Sequence, residues 1–415
     1  MAECAWTALA LQLLACGPQV TYSEHIAPIL QAKCQQCHRP GQIAPMSLAS
    51  YAEAAPFAKA IQTSVAIGNM PPFYAAGPAG YFKDDIRLSE EEKRLLFAWA
   101  DGGAPEGDPA LLPEPPSFDD SEWPFGEPDL VLRFPAHSPV PNRTDQYVTF
   151  FADHDFPEDL WARAFHLRTH SKKAAHHSTL FMVGPDTEIP DTRKTEDHIE
   201  LGTKRLYTWF PGLVVDPLPD GQAIQLPKSW RVAARTHFGP QGEPISEEMQ
   251  LGIYFATGEV KRIQRRVGLQ FIKELRVPPG ESHYTLRGKK AFREAGWISH
   301  FKVHMHLRGK SSQIILHFPD GSSRTAFDLP RYRFSWQRYY YLEEPLLVPE
   351  GTVAEFVAVW DNSTDNPLNP DPSAWCNWGR KTTDEMYGGA IFYIPEKQIA
   401  QPFRVENGRR TDAAS

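Results

Sequence analysis

The sequence predicts more than one domain, a small all-α unit followed by a long all-β region, and three observations carry that prediction. Residues 21 to 107 hold apolar positions at helical spacing, beginning with Tyr22-Ser23-Glu24-His25-Ile26-Ala27-Pro28-Ile29-Leu30. Residues 104 to 128 contain seven acidic residues, seven prolines and no basic residue, the composition of a semi-rigid, extended linker. From Glu127 onward, short alternating segments at 146–151, 251–255, 314–318 and 353–360 are separated by Pro, Gly and Asp clusters, the pattern of an all-β sandwich or jelly roll. With 415 residues and 41% apolar content the chain can build about two to four domains with real cores. The formal charge of −8, nearly all of it in the acidic linker, argues against nucleic acid as a partner. No stretch has the length of a bilayer span.

At the N-terminus, Ala5 to Ala15 form an apolar run as long as the core of a signal peptide. Leu13-Leu14-Ala15-Cys16-Gly17 resembles a bacterial lipobox, which implies lipidation at Cys16 and a membrane tether. The segment before it has Glu3 and no Lys or Arg, so export without a lipid anchor is the alternative. Residues 1–20 are therefore expected to be a signal, and the protein to be periplasmic or membrane-tethered.

Cys34-Gln35-Gln36-Cys37-His38 comes next. Two thiols at this spacing followed by a histidine allow both cysteines to add to haem vinyl groups while the histidine ligates the iron. A redox dithiol and half a zinc site share the Cys-x-x-Cys. No second cysteine pair completes a four-thiolate site, and a dithiol has no need of His38, so haem is favoured. Asn69-Met70-Pro71-Pro72 offers a thioether beside prolines that fix a loop. In Leu88-Ser89-Glu90-Glu91-Glu92, Ser89 reads as an N-cap with Glu92 three residues on; Leu95, Leu96 and Trp99 share one face, and Gly102-Gly103 is the stop. Together these elements of residues 21–107 resemble a class I cytochrome c domain. The resemblance implies covalent haem c on Cys34, Cys37 and His38, with Met70, the methionine before a proline, as distal ligand. Met46 and His25 are the competing ligands.

Within the β-rich region, His304 and His306 stand two apart, the spacing that puts both imidazoles on one face of a strand. A solvated strand face accounts for many lone His-x-His pairs. Here His176-His177, Thr236-His237-Phe238 and Asp384-Glu385-Met386 accompany it. Adjacent histidines on an ideal strand face opposite ways, so a metal shared by His176 and His177 requires a bulge or twist. Imidazole suits copper in both oxidation states and a thioether selects Cu(I), whereas zinc has little use for methionine. A zinc hydrolase remains only if Met386 is core packing, and no His-Glu-x-x-His helix is present.

The order His-His, His, His-x-His, Met, with the words Phe301-Lys302-Val303-His304-Met305-His306-Leu307-Arg308-Gly309-Lys310 and Thr383-Asp384-Glu385-Met386, resembles the copper type II, ascorbate-dependent monooxygenases. That is the family of peptidylglycine α-hydroxylating monooxygenase and dopamine β-monooxygenase. The resemblance covers residues 128–397 and implies a double jelly roll with one copper on each domain, facing across a solvent-filled cleft. It places the domains at 128–268 and 269–400, the boundary near 264–270, a strand from Leu269 to Val277, and a polar tail at 401–415. It implies that His176, His177 and His237 hold an electron-transfer copper. His304, His306 and Met386 would hold the copper that meets dioxygen and would be the catalytic set.

Peptide hydroxylases of the family bind a substrate carboxylate through an arginine shortly before the His-x-His. Lys302 stands there, and Tyr387, Gly388, Gly389 and Ala390 replace the polar anchors after the methionine, so a glycine-extended peptide is not the expected substrate. Cys376 reads as a buried free thiol, and His166, His170, His283 and His300 as structural or surface residues. The expectation is a copper monooxygenase to which a tethered haem, linked by residues 108–127, passes electrons singly from a periplasmic donor to hydroxylate an unnamed substrate with dioxygen. The alternatives are a non-catalytic electron-transfer or copper-holding protein, and a binding module without copper.

Overall fold

The computed structural model describes residues 19–42, 44–118, 121–141, 146–171, 174–196, 205–209, 213–238, 244–271, 274–379 and 381–411. The expected lipid-modified Cys16 lies outside them. Two compact units divide the chain. One takes in the described residues up to Phe73 together with Ile86–Phe118; the other takes in Tyr74–Asp85 and the described residues from 121 on.

In the first unit, a π turn at Tyr22–Ile26 leads into α1 (Ala27–Lys33), followed by α2 (Tyr51–Ala54), α3 (Ala58–Ala66) and α4 (Glu90–Asp101). Pro28 falls in the first turn of α1, where the missing N–H has no helical acceptor to lose. α4 begins in a capping box: the Glu92 N–H donates to Ser89 Oγ at 3.1 Å, and the Ser89 N–H donates to Glu92 Oε2 at 2.6 Å. Its apolar face buries Leu96 and Trp99 against Tyr22, Ile26, Leu30 and Ala54. Trp99 Nε1 then donates to the Pro105 carbonyl at 3.0 Å, tying the exit of α4 back onto the same core.

The second unit is built from β-sheet. Its strands are β1 (Leu130–Arg133), β2 (Gln146–Phe151), β3 (Leu160–Thr169), β4 (Ala175–Val183), β5 (Lys194–Thr195), β6 (Arg205–Trp209), β7 (Gln222–Leu226), β8 (Arg231–Phe238) and β9 (Met249–Phe255). There follow β10 (Gly258–Val260), β11 (Arg262–Ile263), β12 (Arg265–Leu269), β13 (Arg276–Val277), β14 (Tyr284–Ala291), β15 (Gly296–His304) and β16 (Gly309–His317). The last are β17 (Ser323–Leu329), β18 (Tyr339–Val348), β19 (Val353–Trp360), β20 (Cys376–Asn377), β21 (Gly388–Pro395), β22 (Phe403–Glu406) and β23 (Arg409–Arg410).

One sheet runs β1-β9-β3-β7-β11 and another β5-β2-β8-β4-β6. A single apolar core joins them, with Leu132, Phe165 and Ile253 from the first and Phe150, Leu180 and Val232 from the second. A second pair runs β12-β21-β15-β18 and β14-β19-β16-β17; Phe301 on β15 stacks on Phe327 of β17 with ring centroids 5.2 Å apart. Leaving the two-residue strands aside, both pairs follow the same winding: first, eighth, third and sixth strands in one sheet, second, seventh, fourth and fifth in the other. The polypeptide is thus mostly antiparallel β-sandwich with few helices.

Four boundaries differ from the sequence expectation. β12 already starts at Arg265 and pairs with β21, and Leu269 to Val277 is not one strand: β12 ends at Leu269 and β13 begins at Arg276. Residues 74–85 do not belong with the helices. The Ala76 N–H donates to the Asp328 carbonyl at 2.8 Å, the Lys83 N–H donates to the Tyr341 carbonyl at 2.9 Å, and Phe82 is buried against Phe327 and Tyr340. The acidic linker is not free along its length, because Phe125 meets Tyr254 edge-on and the Tyr254 hydroxyl donates to the Gly126 carbonyl. Residues 401–411 are not a polar tail: β22 pairs with β10, and Phe403 packs on Trp161 with ring centroids 4.5 Å apart.

Candidate functional site

In the first unit the Cys-x-x-Cys-His turn begins where α1 ends. The Cys34 N–H closes the helix on Leu30, and the Cys37 and His38 N–H groups both donate to the Cys34 carbonyl, so one turn presents all three side chains. Cys34 and Cys37 form no disulfide. Burial, reinforced by the neighbouring Cys37, pushes the Cys34 thiol up to about 12. His38 Nδ1 donates to the Met46 carbonyl at 3.3 Å, which orients the ring and leaves Nε2 as the nitrogen that could ligate a metal. Burial lowers the His38 pKa, favouring the neutral, ligating imidazole.

The three distal candidates have different neighbours. Nδ1 of His25 accepts from the Thr21 N–H at 3.3 Å, at the start of its own turn. Met46 packs against the apolar core. Met70 is half-buried beyond the end of α3, its N–H donating to the Ser64 carbonyl at 3.2 Å.

In the second unit the first histidine cluster sits on adjacent strands. His177 on β4 is the direct register partner of His237 on β8, and their ring centroids are 5.2 Å apart. Both are buried. The register shifts between Ala175 and His177, which makes His176 the extra residue of a bulge. That irregularity is the backbone condition for consecutive histidines to serve one metal. The His176 side chain itself lies outside the described residues. Tyr147 on β2 stacks on His237 at 4.5 Å, with 12° between the planes, and fixes that ring.

The second cluster is built at the end of β15. His304 and His306 lie with ring centroids 5.2 Å apart. His304 Nδ1 donates to Gln337 Oε1 at 2.6 Å and His306 Nδ1 to the Asp384 carbonyl at 3.2 Å, so each ring keeps Nε2 for a metal. Burial lowers His306 to about 4, so the imidazole is neutral at neutral pH. Met305 between them is locked by Tyr332, whose hydroxyl accepts from the Met305 N–H at 3.1 Å and donates to its carbonyl at 2.7 Å. Gly309 completes the turn: a Cβ there would fall 2.7 Å from both Met305 Cβ and the Tyr332 ring.

Glu385 is the residue whose role the sequence did not announce. It is fully buried, and its carboxylate accepts from the N–H groups of His306 at 2.9 Å, Arg308 at 2.6 Å and Met386 at 3.2 Å, and from Trp360 Nε1 at 3.1 Å. Burial pushes its pKa up to about 7, while the N–H donors pull the other way. Because all four partners donate, they fit the carboxylate form. The same group thereby ties His306 to Met386, and Gly388, two residues on, is the register partner of His304. These bonds bring the main chain of Met386 beside that of His306, whose ring already adjoins that of His304.

One aromatic ring adjoins a histidine of each cluster. Phe334, in the connection from β17 to β18, has its ring centroid 6.5 Å from that of His237 and 5.9 Å from that of His306. Lys302, in the position where the family carries an arginine, is 2% exposed; Nζ donates to Thr208 Oγ1 at 2.5 Å and sits 4.6 Å from the centre of the Tyr339 ring. Its charge is engaged inside the protein and does not line an open surface. Cys376 is a buried free thiol, as expected. His300 is buried, stacked 4.3 Å from Phe392, and packs rather than lining a site. Among the described residues no three His, Cys, Asp or Glu side chains form a metal-ready group.

No family model and no curated protein matches the chain. Among solved structures, similarity is found to the PBCV-1 virus capsid (8% identity, 69% of this chain and 97% of that one, TM-score 0.23). The major capsid protein P2 of bacteriophage PM2 is similar at 8% identity, over 62% of this chain and 99% of that one, with a TM-score of 0.20. Overlaps at that level fix neither the fold in detail nor the function.

Proposed function

We propose that this chain is a copper-dependent monooxygenase, inserting one atom of dioxygen into a carbon–hydrogen bond, with a fused c-type haem domain as its electron supply. The observation that carries the reading is the second cluster: two imidazoles with Nδ1 already satisfied, and a methionine bound to the same buried carboxylate as one of them. Copper held there by His304, His306 and Met386, and by the His176, His177 and His237 set, would supply dioxygen activation and one electron per ion. The repeated sheet winding supports two jelly-roll domains, and the helical unit with its Cys-x-x-Cys-His turn supports a class I cytochrome c domain with Met70 as the distal ligand. Covalent haem attachment of this kind also supports an exported protein.

The chain's own residues orient the ligands. Gln337 and the Asp384 carbonyl fix the imidazole tautomers, Tyr332 rigidifies the turn between them, and Glu385 sets Met386 against His306. With Lys302 buried, no carboxylate anchor stands before the His-x-His, which favours a substrate held by other means than an acid group at that position. The same observation favours the second reading, a copper-holding electron-transfer protein without hydroxylation.

Metal analysis of the haem-matured protein, with His304→Ala and Met386→Ala variants, tests the proposal. About two coppers per haem, one of them lost in each variant, together with dioxygen uptake by the reduced protein coupled to substrate oxidation, is the expected result. Haem without copper would overturn it, and copper that ignores dioxygen would leave the electron-transfer reading in its place.

A further inference from the structure

We infer that Phe334 is a partition between the two histidine clusters: its ring occupies the space between His237 and His306, keeps water out of it and holds the clusters at one spacing. The inference rests on the copper reading above and departs from the solvent-filled cleft that the family resemblance implies. Three observations carry it. Phe334 is 7% exposed, so the ring is enclosed and not a flap over open solvent. Its centroid lies within 6.5 Å of the ring on one side and 5.9 Å of the ring on the other, distances at which aromatic and imidazole rings touch. Its backbone carbonyl accepts from Gln337 Nε2 at 3.2 Å, and the Oε1 of that same amide accepts from His304 Nδ1. Ring position and ligand orientation therefore belong to one hydrogen-bonded turn, the connection spanning residues 330–338, which also contributes Tyr332 to the Met305 backbone.

The physical consequence follows from what would replace the ring. A void of ring size beside the histidine clusters would have polar partners in the Nε2 atoms, or in the copper they would hold, and room for water, so it would fill, unlike a purely apolar cavity. Water between the clusters would compete with the imidazole Nε2 atoms for whatever metal they hold. With Phe334 in place, substrate and dioxygen must approach His304, His306 and Met386 from a side other than the one facing His237.

The test uses the full, haem-matured, copper-loaded chain, comparing Phe334→Ala with Phe334→Leu, which retains apolar bulk. Pulsed electron paramagnetic resonance in deuterium oxide reads water near the oxidised coppers, and the copper–copper dipolar broadening reads their spacing. Phe334→Ala is expected to bind both coppers, to gain the deuterium signal of about one further water, and to change its dipolar broadening; Phe334→Leu is expected to stay near wild type. Unchanged deuterium signal and broadening in a fully loaded Phe334→Ala protein would overturn the inference. Failure of the copper reading looks different, because the wild-type chain would then take up no copper. In that event deuterium exchange at the ring carbon C2 of His237 and His306 decides: severalfold faster exchange in the metal-free Phe334→Ala protein supports the partition, and equal rates refute it. If Phe334→Ala does not fold, Phe334→Val, which still empties part of the space the ring fills, is read in the same way, and wild-type deuterium signal and broadening in it would refute the partition.

Discussion

Glu385 shows how much of the candidate site depends on a residue that touches no metal. Removing its side chain leaves the N–H groups of His306, Arg308 and Met386 and the Trp360 indole without their buried acceptor. Each orphaned donor costs about 1 kcal/mol or more, so Glu385→Ala should lose about 3 kcal/mol of stability or more. On the copper reading its copper content should also fall from about two to about one per chain, the remaining ion being that of the His176, His177 and His237 set; urea denaturation and metal analysis of one preparation check both. His300 makes a different prediction. Burial holds its pKa near 3, against an ordinary value near 6.5, so the unfolded chain takes up the proton first. Its stabilising contribution is present above pH 6.5 and is lost as pH falls through the window from 6.5 towards 3. At about 1.4 kcal/mol per pH unit, roughly 2 kcal/mol should disappear between pH 6.5 and 5. His300→Phe, which keeps a ring against Phe392, should flatten that slope in urea midpoints measured at pH 7 and pH 5.

Elements whose signals are local were legible in the sequence. The capping box of α4, the span of β2 and the span of β19 all follow from residues within a few positions of one another. That His304 and His306 lie side by side was legible too, from their spacing of two, whereas the meeting of His177 with His237 was expected only through the family resemblance. What was not legible depends on distant partners. Trp123 lies in a stretch whose composition says linker, yet it covers Gly252, where any Cβ would meet its ring at 2.7 Å. Phe334 and Gln337 sit in an irregular connection with no periodicity, and their roles appear only once β8 and β15 are brought together. The C-terminal hairpin is a third case, since charged residues around Phe403 and Val405 hide an alternation that only Trp161 and β10 complete. Phe403→Ala should therefore destabilise the second unit by about 3 kcal/mol, seen as a lower urea midpoint for its Trp fluorescence, whereas a solvated tail would show no change.

At the scale of the molecule, the division into two units separates two kinds of chemistry that the proposed reaction must join. The helical unit has its own apolar core around Trp99, Leu30 and Tyr22, and the β unit has its own sandwich cores, so each set of ligands is positioned by neighbours of its own unit. Hydroxylation by dioxygen needs two electrons beyond those of the substrate, and each copper stores one, so resupply must be repeated and singly stepped. On the proposed reading a covalently connected haem would meet that need by keeping an electron donor at high effective concentration whatever the external reductant. The consequence is separable in a Cys34→Ser, Cys37→Ser double variant. On the proposed reading it should lack covalent haem, as read by acid–acetone extraction, while retaining about two coppers per chain, because Gln337, Asp384, Tyr332 and Glu385, which orient the second cluster, all belong to the β unit. Turnover driven by a protein donor that reduces only the haem should then cease, whereas turnover with a small diffusible reductant able to reach copper directly should persist. Loss of both activities with copper intact would mean that the haem unit does more than deliver electrons, and full activity with the protein donor would mean that electrons enter the copper sites without passing through the haem.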